Sequence, residues 1–126
     1  MNKLVKLFIT SISAITLALV SFTSSFAKVD GEYIVLGSAI SLTGKYSSNG
    51  VHTQNGYNMA VDRINKMGGV EVQGKKYKFE IIYYDDESNP KRAAQLAERL
   101  IKQDGVHYML GPYSSGLTKA IAPVTE

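Results

Sequence analysis

The order of its apolar stretches restricts the fold of this chain more than any other feature. Tyr33 to Ile40 (YIVLGSAI) is mostly apolar and β-branched in its first half, as a buried strand requires. Ser41 to Gly50, rich in Ser, Gly and Asn, reads as a loop. From Val51 the period becomes helical: Tyr57, Ala60, Val61, Ile64 and Met67 recur at three and four residues and predict one buried face, ended by Gly68-Gly69. Val70 to Val72 and the turn signal Gln73-Gly74 suggest a small hairpin into a second strand, Tyr77 to Tyr84 (YKFEIIYY). A polar loop, Asp85 to Pro90, closes that strand, with Asn89 suited to cap a helix and Pro90 to begin it. Ala93, Leu96, Ala97, Leu100 and Ile101 form the stripe of a second helix that stops near Asp104-Gly105. Val106 to Leu110 then predicts a third strand, and Ser114-Ser115 the start of a third helix.

Strand, helix, strand, helix, strand, helix predicts an α/β fold: a Rossmann-like parallel sheet with flanking helices and right-handed crossovers. In the commonest such unit the first strand lies between the other two, and ligands bind beyond the carboxyl ends of the strands where the order reverses. The loops delivered there are Ser41–Gly50 and Gly111–Ser115, both rich in hydroxyl, amide and glycine groups. A tight turn followed by two hydroxyls at a helix N-terminus offers free N–H and O–H donors, which suits a carboxylate. Ser114 and Ser115 are therefore candidate ligand-binding residues, with Asn49 as a polar contact from the other loop. Tyr46 and Tyr113 are candidates to line the crevice with flat apolar surface while offering O–H groups.

Residues 1–27 carry the three parts of a secretory signal peptide: Lys3 and Lys6, an apolar run from Leu7 to Phe22, and the small-x-small site Ser25-Phe26-Ala27. The run is interrupted by Thr10, Ser11, Ser13, Thr16 and Ser21 and is short for a membrane span, so cleavage after Ala27 is expected. The mature domain is then 28–126, and losing two lysines lowers the net charge of +3 by two. Such a balance gives no basic patch for nucleic acid. The chain has no cysteine, hence no lipid-acceptor thiol, disulfide or thiol chemistry, and a soluble periplasmic protein is expected.

Other chemistries find little support. The first strand-to-helix turn lacks G-x-G-x-x-G, and the phosphate-loop-like Gly69 to Lys76 lacks the Ser or Thr for magnesium and joins a helix to a strand. Ser114 has Gly116 after it, but Pro112 stands where a nucleophile elbow needs glycine, and neither His52 nor His107 is assigned to it. Asp85-Asp86-Glu87 lacks calcium-loop spacing and is expected to be solvated and to favour the following helix. No enzyme activity, cofactor or metal is expected.

Leu36 to Gly44, then Gly50, Gly56, Ile64-Asn65 and Gly68-Gly69-Val70, resemble the opening of periplasmic substrate-binding proteins of branched-chain amino acid ABC transporters. Tyr84-Asp85-Asp86, Asn89-Pro90 and Gly111 to Ser115 continue the resemblance in register. It implies the type I periplasmic binding fold, with this chain as the N-terminal part of lobe 1. It further implies a hinged two-lobed protein that closes on an amino acid or similar small acid and delivers it to a membrane permease. The carboxylate-binding serine of the family falls on Ser115, with Ser114 as its backbone neighbour, and a further contact falls on Asn49. Family members with larger, often aromatic residues at that last position use them to cover the ligand, and Asn49 departs from them. The chain stops at Glu126, a few residues past Pro123, inside the third helix, so a fragment lacking the second lobe is expected. A monomeric transport component is the expected role, and a receptor's ligand-sensing ectodomain of the same fold is the alternative.

Overall fold

Residues 29–30 and 32–126 are described by a computed structural model, and the expected signal segment lies outside them. The first apolar run forms β2 (Tyr33–Ile40), preceded by a short β1 (Val29–Asp30). Next come α1 (Ser47–Lys66), β3 (Val70–Val72), β4 (Lys75–Asp85), α2 (Pro90–Lys102), β5 (Tyr108–Met109) and α3 (Ser115–Thr125). The sheet is centred on β2, which pairs in parallel with β4 from Tyr33 opposite Lys78 to Ile40 opposite Asp85. Its other edge pairs in parallel with β5, Leu36 opposite Tyr108 and Gly37 opposite Met109. The first long strand therefore lies between the other two, as alternation predicts. β1 pairs antiparallel with the start of β2, and β3 forms the expected hairpin with β4.

One face of the sheet holds the closed core. Ala39 of β2 packs with Ala93 and Ala97 of α2 and with Leu117 and Ile121 of α3, while Val35 packs with Leu100 and Val106. Gly37 makes the close approach possible, since a β-carbon there would lie 2.9 Å from Val106 Cγ1. The α2 stripe is thus the core stripe its period predicts, with Ala93, Ala97 and Leu100 fully buried.

The opposite face departs from expectation. Of the α1 stripe, Ala60 and Met67 are exposed and Tyr57, Val61 and Ile64 only half-buried; Gly50 is the buried residue of this helix. Tyr57, Ala60, Val61 and Ile64 instead line an open apolar groove of about 520 Å³ against the sheet. Polar anchors along the helix set that spacing. Asn65 exchanges two hydrogen bonds of 2.8 Å with the backbone of Phe79, and the Tyr83 hydroxyl donates to Asn58 Oδ1 at 2.8 Å. At the other end Gly50 rests against the carbonyl of Ser41.

Boundaries shift for local reasons. α1 begins at Ser47 rather than Val51, so Asn49 stands in its first turn and not in a loop. β5 has two residues because the Val106 N–H bonds to Leu100 O at 2.9 Å, drawing that residue into the core before the ladder starts. His107, within the expected third strand, precedes the ladder and is exposed.

Two glycines of α1 should respond oppositely to alanine. A β-carbon at Gly50 would fall 1.8 Å from Ser41 O, so Gly50→Ala should lose about 1–3 kcal/mol, the range for overpacking. At Gly56 nothing lies within 4 Å, and Gly56→Ala should gain close to the ~1 kcal/mol helix-propensity difference. Urea unfolding of both variants measures the two signs.

Candidate functional site

The parallel pairing brings the starts of α1, α2 and α3 to the carboxyl-terminal end of the sheet. α2 is closed by its own cap: Asn89 Oδ1 accepts from the N–H groups of Lys91 (2.9 Å) and Arg92 (3.1 Å). At α3 the cap is Ser114, whose Oγ accepts from Leu117 N–H at 3.2 Å and whose carbonyl accepts from Thr118 N–H. Capping at these two points leaves the N–H groups of Ser115 and Gly116 outside the helix ladder. The Ser115 hydroxyl is exposed and has no hydrogen-bond partner among the described residues. α1 has Tyr46 at its N-cap position with no side-chain cap, and neither α1 nor α3 has an acidic residue in its first turn. Neither helix therefore sets a carboxylate of its own first turn against its positive end, whose field favours an anion.

Tyr46 and Tyr113 meet between these two helix starts, their ring centroids 6.0 Å apart and tilted by 56°. The Lys45 ammonium lies 4.6 Å from the Tyr46 ring centroid. Asn49 is half-buried one turn into α1, and its carbonyl accepts from the Thr53 hydroxyl at 2.9 Å. The structure thus joins Tyr46 to Tyr113 directly. Ser114 is used by the helix it caps, and Ser115 is left with its donors outward.

Two further groups hold this arrangement and were not expected from sequence. The Tyr57 hydroxyl, on the supposed core stripe of α1, donates to Gly111 O at 2.9 Å and so ties that helix to the turn before Ser114. Burial pushes the Tyr57 phenol above its ordinary value. Burial raises Tyr83 as well, and the neighbouring Tyr57 adds to the shift.

The second group is the acidic loop, and it corrects the expectation of solvated acids. Asp86 is fully buried; its Oδ1 accepts from Ser41 Oγ at 2.6 Å and from Ser88 N–H at 2.8 Å. Asp85 accepts from Thr43 Oγ1 (2.7 Å) and from the N–H groups of Leu42 (2.9 Å), Thr43 (3.2 Å) and Glu87 (2.9 Å). Burial alone would raise the Asp85 carboxyl, but these hydrogen bonds together hold it below its ordinary value. Only the burial and the long-range partners reveal these roles, since nothing local marks Asp86 as inward. Among the described residues no group of three or more His, Cys, Asp and Glu is arranged to hold a metal ion.

The lowered Asp85 value fixes a sign. Its stabilisation is complete above the unfolded-state value near 4 and is lost as pH falls through the lower folded-state value. Asp85→Asn should therefore flatten the acid limb of a stability–pH curve below about pH 4 while leaving the slope near neutrality unchanged. Chemical denaturation at stepped pH reads this.

A family model described as periplasmic binding protein matches residues 34–126. A Leu/Ile/Val-binding protein of Rhizobium johnstonii is 33% identical over 100 residues, covering 79% of this chain and 26% of that protein. A leucine-, isoleucine-, valine-, threonine- and alanine-binding protein of Pseudomonas aeruginosa is 30% identical over 110 residues, covering 87% of this chain and 28% of the relative. Among solved structures, a branched-chain amino acid transporter substrate binding protein from Streptococcus pneumoniae, in complex with isoleucine, superposes with a TM-score of 0.64. It is 31% identical, over 71% of this chain and 25% of that one. The chain thus spans about a quarter of the length of the relatives it matches.

Proposed function

The chain belongs to the periplasmic binding protein family, and from that membership we propose that it supplies the first-lobe half of a site for an amino acid or similar small carboxylate-bearing solute. The observation that carries this reading is the start of α3. There Ser115 is exposed and the N–H groups of Ser115 and Gly116 lie outside the helix ladder, in the segment that follows Tyr113 of the Tyr46–Tyr113 pair. A carboxylate there would accept charge-assisted hydrogen bonds at the positive end of a helix. The rings would shield it from water on one side while their hydroxyls remain available. Asn49 stands in the first turn of α1, and on this reading its amide would add a polar contact to the ligand.

Capture is reversible and involves no bond-making. The names of the relatives, Leu/Ile/Val-binding and branched-chain amino acid transporter substrate binding protein, support an aliphatic amino acid as the first ligand to try. On this reading the protein works in the periplasm, is exported by residues 1–27, and hands its solute to the permease of an ABC transporter. A second lobe supplies the partner for the ligand's amino group, and the lobes close on the bound solute.

The test is calorimetric titration of the full-length protein with L-leucine, L-isoleucine, L-valine and a panel of other amino acids. Ser115→Ala should weaken binding by about 1–3 kcal/mol, the cost of leaving a charged acceptor short of a donor. An unchanged dissociation constant would remove Ser115 from the site, and no heat with any amino acid would refute an amino acid ligand.

A further inference from the structure

One hydroxyl in the loop after β4 is bonded to both ends of the turn that leads into α1. Ser88 Oγ donates to Thr43 O at 2.8 Å and accepts from Tyr46 N–H at 3.0 Å. Tyr46 has no capping side chain of its own, so Ser88, from the loop after β4, satisfies the backbone where α1 begins. Ser88 reaches that position through an unusual backbone. Glu87 and Ser88 are consecutive non-glycine residues in the left-handed region, with φ of 54° and 60°. Two acids hold them there, Asp85 accepting from Glu87 N–H and Asp86 from Ser88 N–H. The same acids bind Ser41, Leu42 and Thr43, so both loops are gripped at once. Gly44 completes the fit, since a β-carbon there would lie 2.6 Å from Glu87 O and 2.7 Å from Ser88 Oγ.

Strain retained at two consecutive residues, of which Ser88 is buried and hydrogen-bonded to both loops, suggests that the position matters to what it supports. We propose that Ser88 is a positioning residue for ligand binding, fixing Tyr46, and through the first turn of α1 Asn49, at the wall of the crevice. The inference rests on the binding role proposed above. Asp85 and Asp86 act through Ser88 and the 41–43 segment and need not meet the ligand.

Two variants of the full-length protein separate positioning from stability. Ser88→Gly relieves a left-handed residue and deletes the hydroxyl, whereas Glu87→Gly relieves its neighbour and keeps the hydroxyl. In Ser88→Gly, amide exchange of Tyr46 read by NMR without ligand should quicken about five- to tenfold, the scale of one lost hydrogen bond. The dissociation constant for L-leucine or L-isoleucine, whichever the wild type binds, should rise by a similar factor. Glu87→Gly should leave both quantities at wild-type values. Equal Tyr46 exchange in the two variants, or weakened exchange protection with unchanged affinity, would overturn the proposal. A wild type that binds no amino acid would overturn the binding role instead, and the exchange comparison would still decide whether Ser88 orders the Tyr46 segment.

Discussion

The eight-residue parallel ladder between β2 and β4 is the constraint on which the rest depends. Its register sets Ile40 beside Asp85, so both strands end at the same level and the segments that follow must share one small volume. Backbone groups leaving a sheet lose their ladder partners and must find others. Here they find each other: Asp86 N–H bonds to Ile40 O at 3.1 Å, and the two acids then bind the 41–43 segment. Asp85 and the Oδ1 of Asp86 each accept from more than one donor, so these bonds are costly to break and hold the junction fast, while Asp86 Oδ2 is buried without a hydrogen-bond partner among the described residues.

That rigid junction sits beside a less tightly packed helix. α2 and α3 close one face of the sheet through Ala, Leu and Ile, whereas α1 is fastened by Asn58, Asn65 and Tyr57 and leaves its apolar stripe along a groove. Hydrogen-bonded anchors fix a helix at points, while side-chain interdigitation fixes it along its length. The first turn of α1 accordingly depends on contacts made by Gly50, Tyr46 and the loop after β4. Tyr57 performs the same service for the turn after β5.

Much of the fold was legible because it is periodic. Strand and helix stripes in Tyr33–Ile40 and Ala93–Leu100 announce their faces directly, and Asn89-Pro90 caps and begins its helix as its chemistry predicts, whereas Ser114, read as a ligand contact, caps α3. The α1 stripe misled because periodicity reports which residues could be buried together, not whether a partner surface arrives. At the candidate site, the hydroxyls of Ser114 and Ser115 could be read from the turn and helix start. The contact between Tyr46 and Tyr113, separated by 67 residues in sequence, needed the sheet to bring them to 6.0 Å.

The sequence by itself determined the alternation, the parallel sheet with β2 at its centre, and a helix start at Ser115, because local propensity and hydrophobic period encode all three. Tertiary structure alone decided that Asp86 is buried, that Asp85 binds the 41–43 segment, and that Ser88 holds Tyr46. Those bonds join residues more than forty positions apart, and an acidic loop reads the same on paper whether water or a neighbouring strand end satisfies it.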